Sequence, residues 1–322
     1  MKRFLLGTAL AVAAPVAATA QDCGEVSIAE MNWASAQIVV AISDFLLTQG
    51  YSCDVTVVPS DTTPAVTSLS ENNEPDVVPE MWPNSAGDAY DKLKENGRIV
   101  ELTSVLNPGG VEGWWIPTYL AEEHPELTTI EGVLENPDLV GGMFNNCPDG
   151  WGCRVVSDNL IKALNLKSSG IKVFDHGSGQ TLASSIGSAF ADKKPWFGYY
   201  WGPTVIMGNY DMTRVKLGDY DKAKFDNLQN KDATDPQVSD FPAAPVLTAV
   251  TSKFAKDHPT ETEFFSKMSF KTDTMSQLLA WQDKNKASAE QTAVHFLQTY
   301  PDTWKTWLSP EASKKLSKLI GG

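Results

Sequence analysis

The sequence predicts an α/β chain folded as two lobes with a ligand cleft between them. Three observations carry this. Short apolar runs alternate with longer stretches of helical spacing, the pattern of βα units. Two segments rich in Gly, Trp and Pro, near 109–117 and 197–203, interrupt that alternation and read as crossings between lobes. The chain has 322 residues, a length that suits about two domains.

The elements follow in order. Lys2 and Arg3, the apolar run Phe4 to Val16 and the Ala18-Thr19-Ala20 cleavage signal make residues 1–20 a secretory signal peptide. Cys23 follows Asp22 rather than a small residue, so the chain is expected to be exported and soluble, not lipid-anchored. Val26 to Ala29 is a strand, and Ile38, Ile42, Phe45 and Leu46 mark a helix that Gly50 should stop. Val55 to Val58 and Asp76 to Val78 are the next strands, followed by a loop over Pro79 to Asn84 that carries Trp82 and a helix through Tyr90 and Leu93. Beyond the crossing, which holds Trp114 and Trp115, come a strand over Leu139 to Phe144, a helix from about Ser157 to Leu164, a strand over Ile171 to Phe174 and a helix from about Ser178 to Lys193. The run Phe197 to Pro203 is the return crossing, and strand Val246 to Thr251 with several helices completes the first lobe. The division is therefore one lobe over 21–114 and 203–322, and a second over 115–202.

Hydrophobic residues make up 42% and charged residues 20% of the chain, enough to build a core and unlike a disordered sequence. Forty acidic against 26 basic residues give a formal charge of −14, which repels phosphate backbones and anionic lipid. Nucleic acid and membrane surfaces are thereby excluded as partners. Four cysteines can pair in three ways. Cys147 and Cys153 enclose the turn-forming Pro-Asp-Gly-Trp-Gly, and Cys23 and Cys53 flank first-lobe strands, so the expected bridges are 23 with 53 and 147 with 153. The spacing does not match a structural zinc site.

The sequence carries no nucleophile elbow, zinc-protease pattern, Walker loop or dinucleotide fingerprint. His124 and His258 each precede a proline in expected surface loops, His295 lies in a helix, and Gly177-Ser178-Gly179 after His176 reads as a turn and helix cap. Catalysis is not expected, and neither is a cofactor or a metal, although the oxygens of Asn145, Asn146 and Asp149 in one hairpin are of the type that holds calcium. What does need a reason is the 10 tryptophans. Trp33, Trp82, Trp151 and Trp201 fall where strands meet loops, the place where α/β proteins contact ligands. Trp faces attract a trimethylammonium group through the ring quadrupole and bury its methyls without requiring a counter-ion. Trp281, Trp304 and Trp307 stand on helices as packing residues, and Trp114, Trp115 and Trp196 stay open between the two roles.

Cys147 to Cys153, CPDGWGC, resembles the C-x-x-G-W-G-C loop of periplasmic glycine betaine/proline betaine binding proteins of ABC importers. Phe197 to Pro203, FGYYWGP, is similar to that family's Y-Y-x-W-x-P strand, and Val78 to Pro83 to its strand-Trp-Pro segment, in the same order along the chain. The resemblance implies a type II periplasmic binding protein fold and a receptor that closes on a methylated ammonium osmolyte and delivers it to an inner-membrane permease. A hinge-closing receptor of this kind is expected to be a monomer. The resemblance also implies that Trp82, Trp151 and Trp201 form the cage, with Trp33 or Tyr199 completing it, and that the amides of Gly152 and Cys153 bind the ligand carboxylate. One departure stands out. Pro83-Asn84-Ser85-Ala86 lacks the His that the family can carry after the cage Trp, and Glu80 adds an acid two residues before Trp82. Glu80 is either a solvated loop acid or a group that shifts preference towards choline or trimethylamine N-oxide. A secreted enzyme acting on such compounds, or a sensor subunit signalling to a membrane kinase, are the alternatives from other classes.

Overall fold

The computed structural model describes residues 23–320, so the segment read as a signal peptide lies outside the described residues. Ten strands join in one sheet: β1 (Gly24–Met31), β2 (Cys53–Ser60), β3 (Val77–Met81), β4 (Ile99–Pro117), β5 (Met143–Asn146), β6 (Lys172–Asp175), β7 (Gly198–Gly202), β8 (Met212–Arg214), β9 (Ala244–Thr251) and β10 (Phe270–Lys271). The order is β2-β1-β3-β9-β4-β7-β5-β6, with β8 and β10 also on β4. β1 pairs in parallel with β2 and β3, and β5 with β6 and β7, whereas β9 runs antiparallel to β3 and β4.

The Gly/Trp/Pro-rich crossing near 109–117 is the second half of β4, a 19-residue strand. Its residues from Ile99 to Gly110 pair with β9, and those from Val111 onward with β7 and then β8. The strand thus runs through two parts of the sheet, and buried residues of both join in one contiguous cluster. On one side the helix Ala34–Leu46 buries Ile38, Val39, Ile42 and Leu46. On the other, Trp114 is fully buried with its ring 4.2 Å from Phe144 and 5.6 Å from Phe197. An aromatic that well enclosed is worth about 3–5 kcal/mol against alanine. Trp304 and Trp307 are buried as packing residues, and Trp281 stacks on His295 at 4.0 Å.

Several boundaries depart from the sequence reading for identifiable reasons. Pro79 and Glu80 lie in β3, not in a loop: the pairing with β9 shifts register between Val78 and Met81, which leaves room for a residue without an N–H. The helix expected to stop at Gly50 continues as a wider turn to Tyr51 and ends at Ser52 in the left-handed region, φ 62°. Gly50 is small for another reason, since a Cβ there would stand 3.0 Å from Leu316 of the C-terminal helix. The strand expected from Leu139 begins only at Met143, because Pro137 opens a 3-10 turn that Gly141 closes. The helix expected from Ser157 starts four residues earlier, at Cys153.

After β7 the helix Val205–Asn209 lies against the helix Thr272–Asn285, and the chain then turns to the end of β4. β8 pairs with Trp115 to Pro117, Asn159 donates to the carbonyls of Leu228 and Asn230, and Lys162 to those of Ala233 and Thr234. The chain rejoins β4 in the first part of the sheet where Ala244 pairs with Gly110.

Candidate functional site

Both disulfides expected from the sequence are present, Cys23–Cys53 and Cys147–Cys153. The second closes a short loop onto the start of the helix Cys153–Ala163, so Trp151 is held between a strand end and a helix end. Gly150 supplies the left-handed turn, φ +87°, that the loop needs. Trp33 follows β1 and Trp82 follows β3, each as the residue before a helix, and Trp201 lies in β7.

These four tryptophans converge. Together with Tyr199, Thr62, Ser85, Glu112, Gly152 and Cys153 they line a cavity with about 300 Å³ of empty space, counting the part open to solvent. Trp151 meets Trp33 edge-to-face at 5.6 Å and Trp201 at 4.9 Å, while Tyr199 stacks parallel to Trp201 at 6.5 Å. The remaining tryptophans stay out of it: Trp114 donates to Ser157, Trp115 to the carbonyl of Tyr200 and Trp196 to Ser185. Trp33 and Tyr199, the two residues between which the sequence left the choice open, both line the cavity.

The cavity is built on close approaches. Trp151 Nε1 donates to Asn32 Oδ1 at 2.7 Å, and Thr63 N donates to the Gly150 carbonyl at 3.0 Å. A Cβ on Gly152 would overlap the Ser85 carbonyl, and one on Gly179 would strike the Trp151 ring at 2.6 Å. Gly152 and Cys153 head their helix, so their amides belong to the first turn, which has no intrahelical acceptor.

Two buried carboxylates flank the rings. Glu80 is 1% exposed, which overturns its reading as a solvated acid, and it stands behind the wall rather than in the lining. Burial pushes its carboxyl above the ordinary range, against hydrogen bonds from Trp33, Trp82 and Ser35. Glu112 lines the cavity itself, and sequence reading missed it. Its Oε1 accepts from Ser85 Oγ at 2.6 Å and Tyr199 OH at 2.8 Å, while Oε2 is buried without a partner. Burial raises this carboxyl too, opposed by the Ser85 and Tyr199 hydroxyls and by Arg214. The signal that could have found it is an acid in the otherwise apolar run from Val111 to Pro117. Of the oxygens considered for calcium, Asp149 pairs with Arg154 at 2.6 Å, Asn145 Oδ1 lies 3.0 Å from His176 Nε2, and Asn146 Oδ1 accepts from the Cys147 amide at 2.9 Å.

A family model described as the substrate binding domain of ABC-type glycine betaine transport systems matches residues 24–299. Among solved structures, a choline binding protein of an ABC transporter, in complex with choline, superposes with a TM-score of 0.74 at 19% identity, covering 93% of this chain and 99% of that one. The glycine betaine/L-proline-binding protein ProX from Borrelia burgdorferi gives 0.72 at 16% identity over 90% and 99%. Lactococcal OpuAC, closed on glycine betaine, gives 0.70 at 18% identity over 89% and 100%. At these identities the structures establish the two-lobed binding-protein fold.

Proposed function

The chain belongs to the substrate-binding domains of ABC-type glycine betaine transport systems, and on that premise we propose that it is the receptor subunit of an importer that closes on a methylated ammonium osmolyte and passes it to a permease. The convergence of Trp33, Trp82, Trp151 and Trp201 with Tyr199 on one cavity carries this reading. At about 1–2 kcal/mol per desolvated ring, such a cage supplies roughly half of the ~8 kcal/mol of a micromolar complex. Methyl burial and lobe closure supply the rest. A carboxylated betaine would place its anion at the amides of Gly152 and Cys153.

Glu112 favours a second reading of the ligand. Its unpartnered oxygen can accept the hydroxyl of choline, and in protonated form it can donate to the oxygen of trimethylamine N-oxide, whereas the carboxylate of a betaine would meet a like charge once Glu112 ionises. Ser85 ties this acid to the same end of the cavity, since its hydroxyl donates to Glu112 and its carbonyl abuts Gly152.

The lobes of this reading divide where β4 changes partners, near Gly110, and where the chain returns at Ala244. The second lobe then runs from about 111 to about 243, well past the 202 read from the sequence. The packing of residues 212–234 on Asn159, Lys162 and β4 supports that later return. The receptor is proposed to be exported to the periplasm with residues 1–20 removed, to work as a monomer and to catalyse no reaction. Among the described residues no helix is long and apolar enough to cross a membrane.

Calorimetric titration of the processed protein with glycine betaine, proline betaine, choline and trimethylamine N-oxide tests the proposal. Micromolar or tighter binding of any of them is expected, preference for the last two selects the Glu112 reading, and no binding by any of the four refutes the cage.

A further inference from the structure

Glu80 sits on the far side of the cage wall from the cavity, and its contacts are concentrated on one atom. Its Oε1 accepts hydrogen bonds from Trp33 Nε1 at 2.6 Å, Trp82 Nε1 at 3.1 Å and Ser35 Oγ at 2.9 Å. Its Oε2 is buried and has no partner. A neutral amide could also accept from the two indoles but would bury an unpaired NH2 where Oε2 stands, and what only the carboxyl can bring to this place is negative charge. The acid therefore does something an amide cannot.

An anion accepting from an indole N–H draws positive charge towards the N–H edge and leaves more electron density on the ring face. Burial raises this carboxyl and the three convergent donors oppose that rise; a cation held against the faces of the same rings, from whose N–H edges Glu80 accepts, favours the ionised form further through a dry, low-dielectric path. We propose that Glu80 is the charge-selecting residue of the site: acting through Trp33 and Trp82, it makes the cage discriminate a cationic methylated nitrogen from an uncharged group of the same shape. This rests on the reading of the cavity as a cage for methylated ammonium. Glu80 is a positioning residue for the rings and, beyond that, the source of their preference for positive charge.

The test compares each ligand with its carbon isostere, choline with 3,3-dimethylbutan-1-ol and trimethylamine N-oxide with tert-butanol, on the wild-type protein and on Glu80→Gln. The substitution keeps an acceptor of the same size and removes the charge. Expected is a loss of about tenfold or more for the nitrogen compound that the wild type binds, with the isostere changed less than about twofold. Unchanged affinity for the nitrogen compound, or an equal loss for both members of the pair, overturns the proposal. A wild-type protein that binds no methylated nitrogen compound refutes the cage itself, a result distinguishable from either. Should Glu80→Gln fail to fold, the indole ¹H–¹⁵N resonances of the wild type decide: two N–H protons shifted far downfield by an anionic acceptor support the proposal, and their appearance at ordinary indole positions overturns it.

Discussion

The indole N–H of Trp151 reaches Asn32 Oδ1 at 2.7 Å, joining the disulfide-closed loop after β5 to the residue that follows β1. The two positions are 119 residues apart in the chain. One hydrogen bond thus fixes a cage ring beside one part of the sheet against the part that carries Trp33 and Trp82, and the Trp33–Trp151 edge contact at 5.6 Å reinforces it.

Replacing Trp151 with alanine removes a cage face and this bridge together. Affinity for the bound methylammonium compound is expected to fall at least about tenfold, from roughly 1–2 kcal/mol of lost cation–π attraction. The variant should keep its far-ultraviolet circular dichroism, because the ring lies outside the Trp114–Phe144–Phe197 cluster. Calorimetry on a folded variant with wild-type affinity would remove Trp151 from the site.

Gly152→Ala probes the approach of Ser85 to the loop. Gly152 has helical backbone angles, φ −62° and ψ −34°, so alanine suits it locally, yet the added Cβ would overlap the Ser85 carbonyl. The variant is expected to bind at least about tenfold more weakly and to melt lower, since overpacking a close contact typically costs about 1–3 kcal/mol. Titration showing wild-type affinity would mean that Ser85 and Gly152 need not approach for binding.

Opening the Cys147–Cys153 loop should act on order rather than on contacts. With both residues changed to serine, the loop gains freedom in the unbound and unfolded states, an effect on the order of 2 kcal/mol for so small a ring. A lower melting temperature and weaker binding are expected together, both visible in ligand-dependent thermal denaturation. Loss of stability with unchanged affinity would show that Trp151 is held in place by its packing alone.

Glu112→Gln should stabilise the ligand-free protein at neutral pH. Burial raises the Glu112 carboxyl above its unfolded value, so its contribution is fully present below that value, near pH 4.5, and is lost as pH rises through the folded pKa. The melting temperature of the wild type is therefore expected to fall behind that of the variant as pH increases from about 4.5 towards 7. Parallel curves over this range would show that the carboxyl keeps its ordinary pKa.

Much of this was legible in the chain because it depends on neighbours in sequence. The βα alternation, the CPDGWGC loop with its disulfide and the four tryptophans at strand ends are local patterns with local physical causes. The burial of Glu80 was not, because it depends on Trp33 and Ser35, at least 45 residues away, donating to it. Glu112 was equally silent: alone it is an acid in a strand, and only the pairing of β4 with β7 brings Tyr199 near it and leaves its second oxygen without a partner. The packing of residues 212–234 was silent for the same reason, since it is decided by β8 pairing and by Asn159 and Lys162. By itself the sequence determined the fold class, the bridges and which rings gather on one cavity, through periodicity and residue type. Tertiary structure alone decided which acids are buried against those rings, because desolvation and hydrogen-bond partners are set by contacts that chain order does not encode.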